Sequence, residues 1–85
     1  MLIDTHCHLD QLPAPAAALV EAAVQGVTQV VAVSESAASM SAVLALKQAY
    51  PGTVVAGLGL HPTWVSQQPP EEVEAGLQFL AQHLP

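Results

Sequence analysis

Ile3-Asp4-Thr5-His6-Cys7-His8 follows an apolar start and has the pattern of a β-strand that ends in two histidines. If the strand continues through His8, its two-residue period places His6 and His8 on one face and Cys7 on the other. Two neutral imidazoles on one face form a chelating pair for a divalent metal. Asp4 lies one repeat earlier, where we expect it to ligate or to hold a ligand histidine in one tautomer. The alternative is a pair of surface histidines without a ligand, because this spacing alone is a weak signal.

The composition is apolar and poor in charge. Apolar residues make up 52% of the 85 residues and charged residues only 9%, against roughly 25% in an average soluble domain. The net charge is -6, and Lys47 is the sole Lys or Arg, which argues against a basic tract that binds nucleic acid through its phosphates. A phosphate-containing substrate would therefore need a bound metal to attract it.

The apolar runs are far shorter than the roughly 20 residues of a membrane-spanning helix. Met1 leads straight into the first strand without the basic and apolar regions of a secretory signal, so we expect a cytoplasmic protein with no membrane partner. Cys7 is the only cysteine, which excludes an intrachain disulfide and a C-x-x-C zinc site. We expect it to be a small buried thiol.

The rest of the chain alternates between helix and strand patterns. Helices are predicted at 15–24, at about 36–49 and from 69–70 onward, and further strands at 27–33 and 53–60. Pro15 suits the first turn of a helix, and Gly26 is placed to end that helix in a left-handed conformation. Ser34 or Ser36 can cap the second helix.

The last helix is predicted from its charges and its apolar spacing. Its N-terminal end carries three acidic residues, which a helix start favours and which we do not interpret as a metal site: Glu71, Glu72 and Glu74. The predicted apolar stripe contains Val73, Leu77, Leu80 and Leu84. His83 is interpreted as a cation-capable residue near the helix C-terminus.

This βαβαβα order predicts an α/β fold with a parallel sheet, either doubly wound or closed as a barrel. A nucleotide-binding sheet has a glycine-rich first turn, whereas residues 6–10 contain no glycine. Barrel enzymes place their chemistry at the C-terminal ends of the strands, where the histidines of this chain fall. We therefore expect the first three units of a (β/α)8 TIM-type barrel of about 250 residues.

Three strands cannot close a barrel, so residues 1–85 are predicted to be the incomplete N-terminal part of a single barrel domain. The rest of the barrel is expected to pack on the exposed sheet edges. If the 85 residues were the entire product, we would expect an oligomer, an aggregate or a poorly folded species.

A second histidine signal lies in Gly57-Leu58-Gly59-Leu60-His61-Pro62. The glycines are expected to let a neighbouring strand or a ligand approach the backbone closely. Pro62 is expected to force an extended turn that holds His61 at the rim of the barrel, the end where the strands terminate. There His61 is a candidate to bind a metal or to donate to a substrate oxygen, and the alternative is a plain loop histidine. Trp64 is a candidate to stack on a base of single-stranded nucleic acid, or to pack the loop against the next helix.

Together, the opening stretch 3–10 and the later stretch 57–62 resemble the TatD family of metal-dependent hydrolases. The resemblance covers the whole chain as the first three βα units of a (β/α)8 barrel, and it implies a metal-dependent deoxyribonuclease, often an exonuclease. By that resemblance His6 and His8 are ligands of a divalent metal, and His61 is a catalytic residue near the substrate phosphate. Asp4 and Asp10 belong to the motif without an implied catalytic role.

The family's other metal ligands would lie beyond Pro85, so the resemblance implies that this part is inactive by itself. The full-length protein would hold two divalent ions, Mg, Mn or Zn, and use a metal-activated water to cleave DNA or another phosphodiester. Rival interpretations are an amidohydrolase or a phosphoesterase of the same barrel group, which also begin with H-x-H, although Thr5, Cys7 and residues 59–62 favour TatD. A third alternative is a non-catalytic truncated module that docks with another chain.

Overall fold

The structure, a computed structural model, describes residues 2–83. Its three strands pair in parallel in the order β1-β2-β3, with bounds Leu2–Cys7, Val27–Val33 and Val54–Gly57. A 3₁₀ turn (Leu9–Gln11) follows β1, and the helices are α1 (Pro15–Val24), α2 (Ala37–Ala49), α3 (Pro62–Gln67) and α4 (Pro70–His83). The predicted βαβαβα order and parallel sheet are confirmed. Met1 and Leu84, which were included in the predicted strand start and helix stripe, lie outside the described residues.

The hydrophobic core lies on the face of the sheet that α1 and α2 cover. Its centre is β2, where Val30 and Ala32 are buried, and it includes Leu9, Leu19, Val43 and Val54. The intervening β2 residues Val31 and Val33 are only half-buried. The opposite face of the sheet therefore remains partly open.

Two predicted helix boundaries are confirmed in detail. Gly26, which follows the C-cap residue of α1, has φ +90°, a conformation that costs an L-residue energy and that glycine adopts freely. Of the two candidate caps for α2, the structure uses Ser36, whose Oγ accepts the N–H of Ser39 at 3.1 Å. The Ser39 Oγ in turn accepts the N–H of Ser36, which completes a capping box.

The region after β3 differs from the prediction. β3 ends at Gly57 instead of 60, and Pro62 is the first residue of a short helix, α3, that the sequence pattern did not predict. The extended backbone falls on His61 itself, with φ -72° and ψ 138°, because a residue before proline avoids the helical region. Pro62 then begins the helix, since the first turn needs no N–H from its N1 residue.

α4 packs against the rest of the molecule through an unpredicted contact. A Cβ built on the buried Gly76 would lie 3.1 Å from Leu60 Cδ1, so glycine lets the helix approach closely. Leu77, from the predicted apolar stripe, is 48% exposed. His83 Nδ1 donates to the Phe79 carbonyl at 2.7 Å, one turn earlier in α4. Within residues 2–83, no helix combines the length and the apolarity that a membrane crossing requires.

Candidate functional site

The candidate site lies at the edge of the sheet where the three parallel strands end. His8 follows β1, Glu35 follows β2 and His61 follows β3, and hydrogen bonds or close polar contacts join all three connections. Parallel strands bring their carboxyl ends to one edge, which is where α/β enzymes collect their functional side chains. The fold therefore gathers side chains that are distant in sequence.

The side chains of His6 and His8 lie next to each other in space, but strand alternation does not place them there. β1 ends at Cys7, and His8 leaves the extended region with φ -103° and ψ 63° to cap the 3₁₀ turn. Its ring nevertheless lies edge-on to that of His6, with 5.2 Å between the ring centroids and 85° between the planes. The condition for strand alternation, a strand that continues through His8, is therefore not met, while the proximity of the two rings is observed.

The spacing of the two rings fits one shared divalent ion. A metal about 2.1 Å from a ring nitrogen lies roughly 3.2 Å from the ring centroid, so two rings on one ion are at most about 6.4 Å apart. The observed 5.2 Å satisfies this limit. Among residues 2–83, no third His, Cys, Asp or Glu completes a ligand cluster. The pair thus has the chemistry of half a metal site.

Asp4 and Glu35 take different positions around this pair. The Asp4 Oδ1 accepts the backbone N–H of His6 at 3.0 Å, so this contact ties the carboxylate to the backbone of β1 and not to an imidazole. The Glu35 Oε1 lies 3.1 Å from His8 Nδ1, and both side chains are 36% exposed. The oxygen is off the line of the ring N–H, so His8 Nδ1 has no aligned hydrogen bond within the described chain.

Glu35 was missed as a site residue, although its sequence position carries a signal. An acidic residue two positions after the second strand of a parallel sheet falls on the same edge as the residues after the first strand. Its carboxylate also accepts the Gln11 side-chain amide at 2.9 Å, and its carbonyl accepts the His61 N–H at 2.7 Å. Glu35 therefore contacts the connections that follow both β1 and β3.

His61 is exposed and caps α3 with its own ring. The Thr63 N–H donates to His61 Nδ1 at 3.1 Å, so this nitrogen must present its lone pair. In the neutral ring the proton then resides on Nε2. His61 is thereby prepared as a hydrogen-bond donor at the rim, and its backbone is joined to the connection after β2 through Glu35.

Ser34 fixes the segment that carries His61. Its Oγ donates to the Gly59 carbonyl at 2.7 Å and accepts the Gly59 N–H at 2.8 Å. After Gly57, these side-chain hydrogen bonds replace the backbone hydrogen bonds between β2 and β3, which explains why β3 is short. A Cβ on Gly57 would lie 3.2 Å from Val33 Cγ1, whereas one on Gly59 would meet nothing within 4 Å, so the predicted close approach holds for Gly57 alone.

The remaining candidates lie around this rim. Trp64 is half-buried in α3, next to the His61 cap. The Asp10 Oδ1 is enclosed but has no hydrogen-bond partner among residues 2–83, which is unusual for a buried carboxylate oxygen. Cys7 is half-buried against the core and donates to the Val31 carbonyl at 3.6 Å. Burial, reinforced by the negative charge of Asp4, raises the pKa of the Cys7 thiol, so it is a poor candidate for a thiolate ligand.

Comparisons with known proteins identify the family of this chain. The chain matches the family of TatD-related DNases over residues 3–84. It is similar to the crystal structure of YjjV, a TatD homolog from Escherichia coli K12, with 34% identity and a TM-score of 0.78. The match covers 96% of this chain and 32% of YjjV, so the chain spans about one third of that protein. No curated protein matches. With its three parallel βα units in the order that begins the TatD barrel, the chain belongs to the family of TatD-related DNases.

Proposed function

We propose that these residues form the first part of a metal-dependent hydrolase that cleaves phosphodiester bonds, a deoxyribonuclease of the TatD type. The observation that carries the proposal is the His6–His8 pair, whose ring centroids lie 5.2 Å apart where the parallel strands end. The family membership supports hydrolase chemistry. The partly open sheet supports the further proposal that the rest of a barrel packs on it and completes the site.

His6 and His8 would hold a divalent metal ion, with Mg, Mn or Zn compatible with a site completed by carboxylates, and a second ion joining in the full-length protein. Such an ion supplies positive charge and Lewis acidity to the phosphate group. This supply is needed because the chain has a net charge of -6 and Lys47 as its sole Lys or Arg, so its own charge balance disfavours a phosphate. With two histidines and no third ligand among residues 2–83, this part alone is proposed to be inactive.

His61 would act on the substrate directly. The Thr63 N–H occupies its Nδ1, which leaves Nε2–H free to donate to a phosphate oxygen. A fixed donor aimed at developing negative charge stabilises a transition state more than a mobile one does. Trp64, three residues further along the same rim, is proposed to stack on a base of single-stranded DNA.

The metal claim is tested on the full-length protein by calorimetric titration with Mn²⁺ or Zn²⁺. We expect His6→Ala and His8→Ala to weaken binding strongly, because each removes one ligand. His83→Ala is the matched control, since this histidine bonds to its own helix at Phe79. Unchanged affinity in both rim variants would remove the pair from the site.

The reaction class is tested with substrates on the same protein. Single-stranded and double-stranded DNA should be hydrolysed in a metal-dependent manner, and chelation should abolish the reaction. Hydrolysis of a cyclic amide without any action on DNA would reject the nuclease proposal in favour of an amidohydrolase. Hydrolysis of small phosphate monoesters alone would instead favour a phosphoesterase.

A further inference from the structure

The backbone of Glu35 is held at both ends by other parts of the rim. Its N–H donates to Ser39 Oγ at 2.7 Å, inside the capping box of α2. Its carbonyl accepts the His61 N–H at 2.7 Å, from the connection after β3. These two hydrogen bonds fix the position of the Glu35 backbone. Its side chain therefore extends from a fixed Cα toward the connection after β1.

The carboxylate of Glu35 lies close to two side chains of that connection. One oxygen, Oε1, accepts the Gln11 Nε2 amide at 2.9 Å and lies 3.1 Å from His8 Nδ1. An ionised carboxylate can only accept hydrogen bonds, so it favours the form of His8 that carries its proton on Nδ1. The other ring nitrogen, Nε2, then presents a lone pair.

We propose that Glu35 is a positioning residue that holds His8 in the Nδ1–H tautomer, so that Nε2 is the atom that binds the metal. This inference rests on the metal site proposed above, and it assigns to Glu35 the role that the sequence pattern suggested for Asp4. The off-line N–H is consistent with it, because the outer torsion of histidine is soft and such contacts align when the site is filled. Metal-bound histidines commonly donate their second N–H to a carboxylate.

The two rim histidines are thereby held in opposite forms. The Thr63 N–H places the proton of His61 on Nε2, whereas Glu35 places the proton of His8 on Nδ1. One ring offers an N–H to the substrate, and the other offers a lone pair to the metal. Distinct partners on Nδ1 thus give the two histidines distinct roles.

The first test measures the tautomer of His8 by the ring ¹⁵N chemical shifts of the metal-free full-length protein, at an alkaline pH where histidine is neutral. We expect the Nδ1–H form to dominate in the wild type. Glu35→Leu, which keeps the approximate volume and removes the acceptor, should shift His8 toward the Nε2–H form. Glu21→Leu, at an exposed acidic position on α1, is the matched control and should leave the shifts unchanged. A wild-type His8 that is mainly Nε2–H would overturn the inference without any variant.

The second test measures the affinity for Zn²⁺ alone by titration against a competing chelator. Glu35→Leu should raise Kd by about 10–100-fold, the usual effect of losing a partner behind a ligand histidine. If Glu35→Leu binds Zn²⁺ as the wild type does while His8→Ala does not, the role of Glu35 is wrong and the metal site stands. If His8→Ala also binds as the wild type does, the metal site itself is wrong, and the inference fails with it.

Discussion

The backbone N–H of Thr63 donates to the Nδ1 atom of His61 at 3.1 Å, so one imidazole both caps α3 and faces the rim. The two ring nitrogens therefore have separate tasks. Nδ1 accepts the N–H of a helix residue, and Nε2 is the atom proposed to contact a substrate. A substitution that keeps an acceptor for the Thr63 N–H but removes the Nε2 donor therefore separates the effect on stability from the effect on activity.

Asparagine is that substitution, because its Oδ1 is a good helix cap and its amide cannot reach the position of Nε2. In the full-length protein, we expect His61→Asn to unfold in urea like the wild type, while the proposed hydrolysis of DNA slows by about 10²–10³-fold. His61→Ala should lose the same activity and in addition about 0.5–2 kcal/mol of stability. An Asn variant that keeps full activity would exclude His61 as a donor to the substrate.

Ser34 gives a second prediction, which concerns the segment that carries His61. Ser34→Ala leaves the Gly59 N–H and carbonyl without their side-chain partner, at an expected cost of about 1–3 kcal/mol in the free energy of unfolding. Ser41→Ala is the control, because Ser41 is exposed on α2 and its removal should change stability by no more than about 0.5 kcal/mol. Equal urea midpoints for the two variants would show that the Ser34 bridge contributes no net stability.

The turn between α1 and β2 gives a third prediction. Gly26 has φ +90° with open space around its Cβ position, so Gly26→Ala costs backbone strain and nothing else, about 1–2 kcal/mol. Gly52 also has open space but no positive φ, and Gly52→Ala should be neutral or slightly stabilising because it restricts the unfolded chain. Thermal unfolding of both variants tests this contrast, and a destabilised Gly52→Ala with an unaffected Gly26→Ala would contradict it.

The parts of the fold that could be predicted from the sequence depend on local chemistry. The turn at Gly26 follows from the freedom of one residue, and the cap at Ser36 from one hydroxyl and the helix N–H groups near it. The parallel sheet follows from apolar runs separated by helices. Each of these signals lies within a few neighbouring residues, so no knowledge of distant contacts was needed.

The features that sequence reasoning missed depend on contacts between distant residues. β3 stops early because Ser34, in the connection after β2, takes the hydrogen bonds of Gly59. The carboxylate beside His8 is Glu35 and not Asp4, because the choice depends on how the β2 connection folds back over the 3₁₀ turn. The two-residue period of a strand predicts only which face each of its side chains occupies. It does not predict which neighbouring loop will contact that side chain.

The last prediction concerns the face of the sheet that is open in this structure. Val55 on β3 is 47% exposed, and Ile3 on β1 is 49% exposed. Exposed apolar side chains on strands with unpaired edges promote pairing between molecules. We therefore expect residues 1–85, expressed alone, to self-associate, whereas a barrel that closes over this face should not.

Light scattering after size-exclusion chromatography measures this association. Val55→Lys places a charge on the open face and should shift residues 1–85 toward the monomer, because charged residues on a sheet discourage edge pairing. Gln48→Lys adds the same charge at an exposed position on α2 and should leave the association unchanged. A monodisperse monomer for unmodified residues 1–85 would mean that the three-stranded sheet needs no cover, and the proposal that further strands complete this face would lose its physical basis.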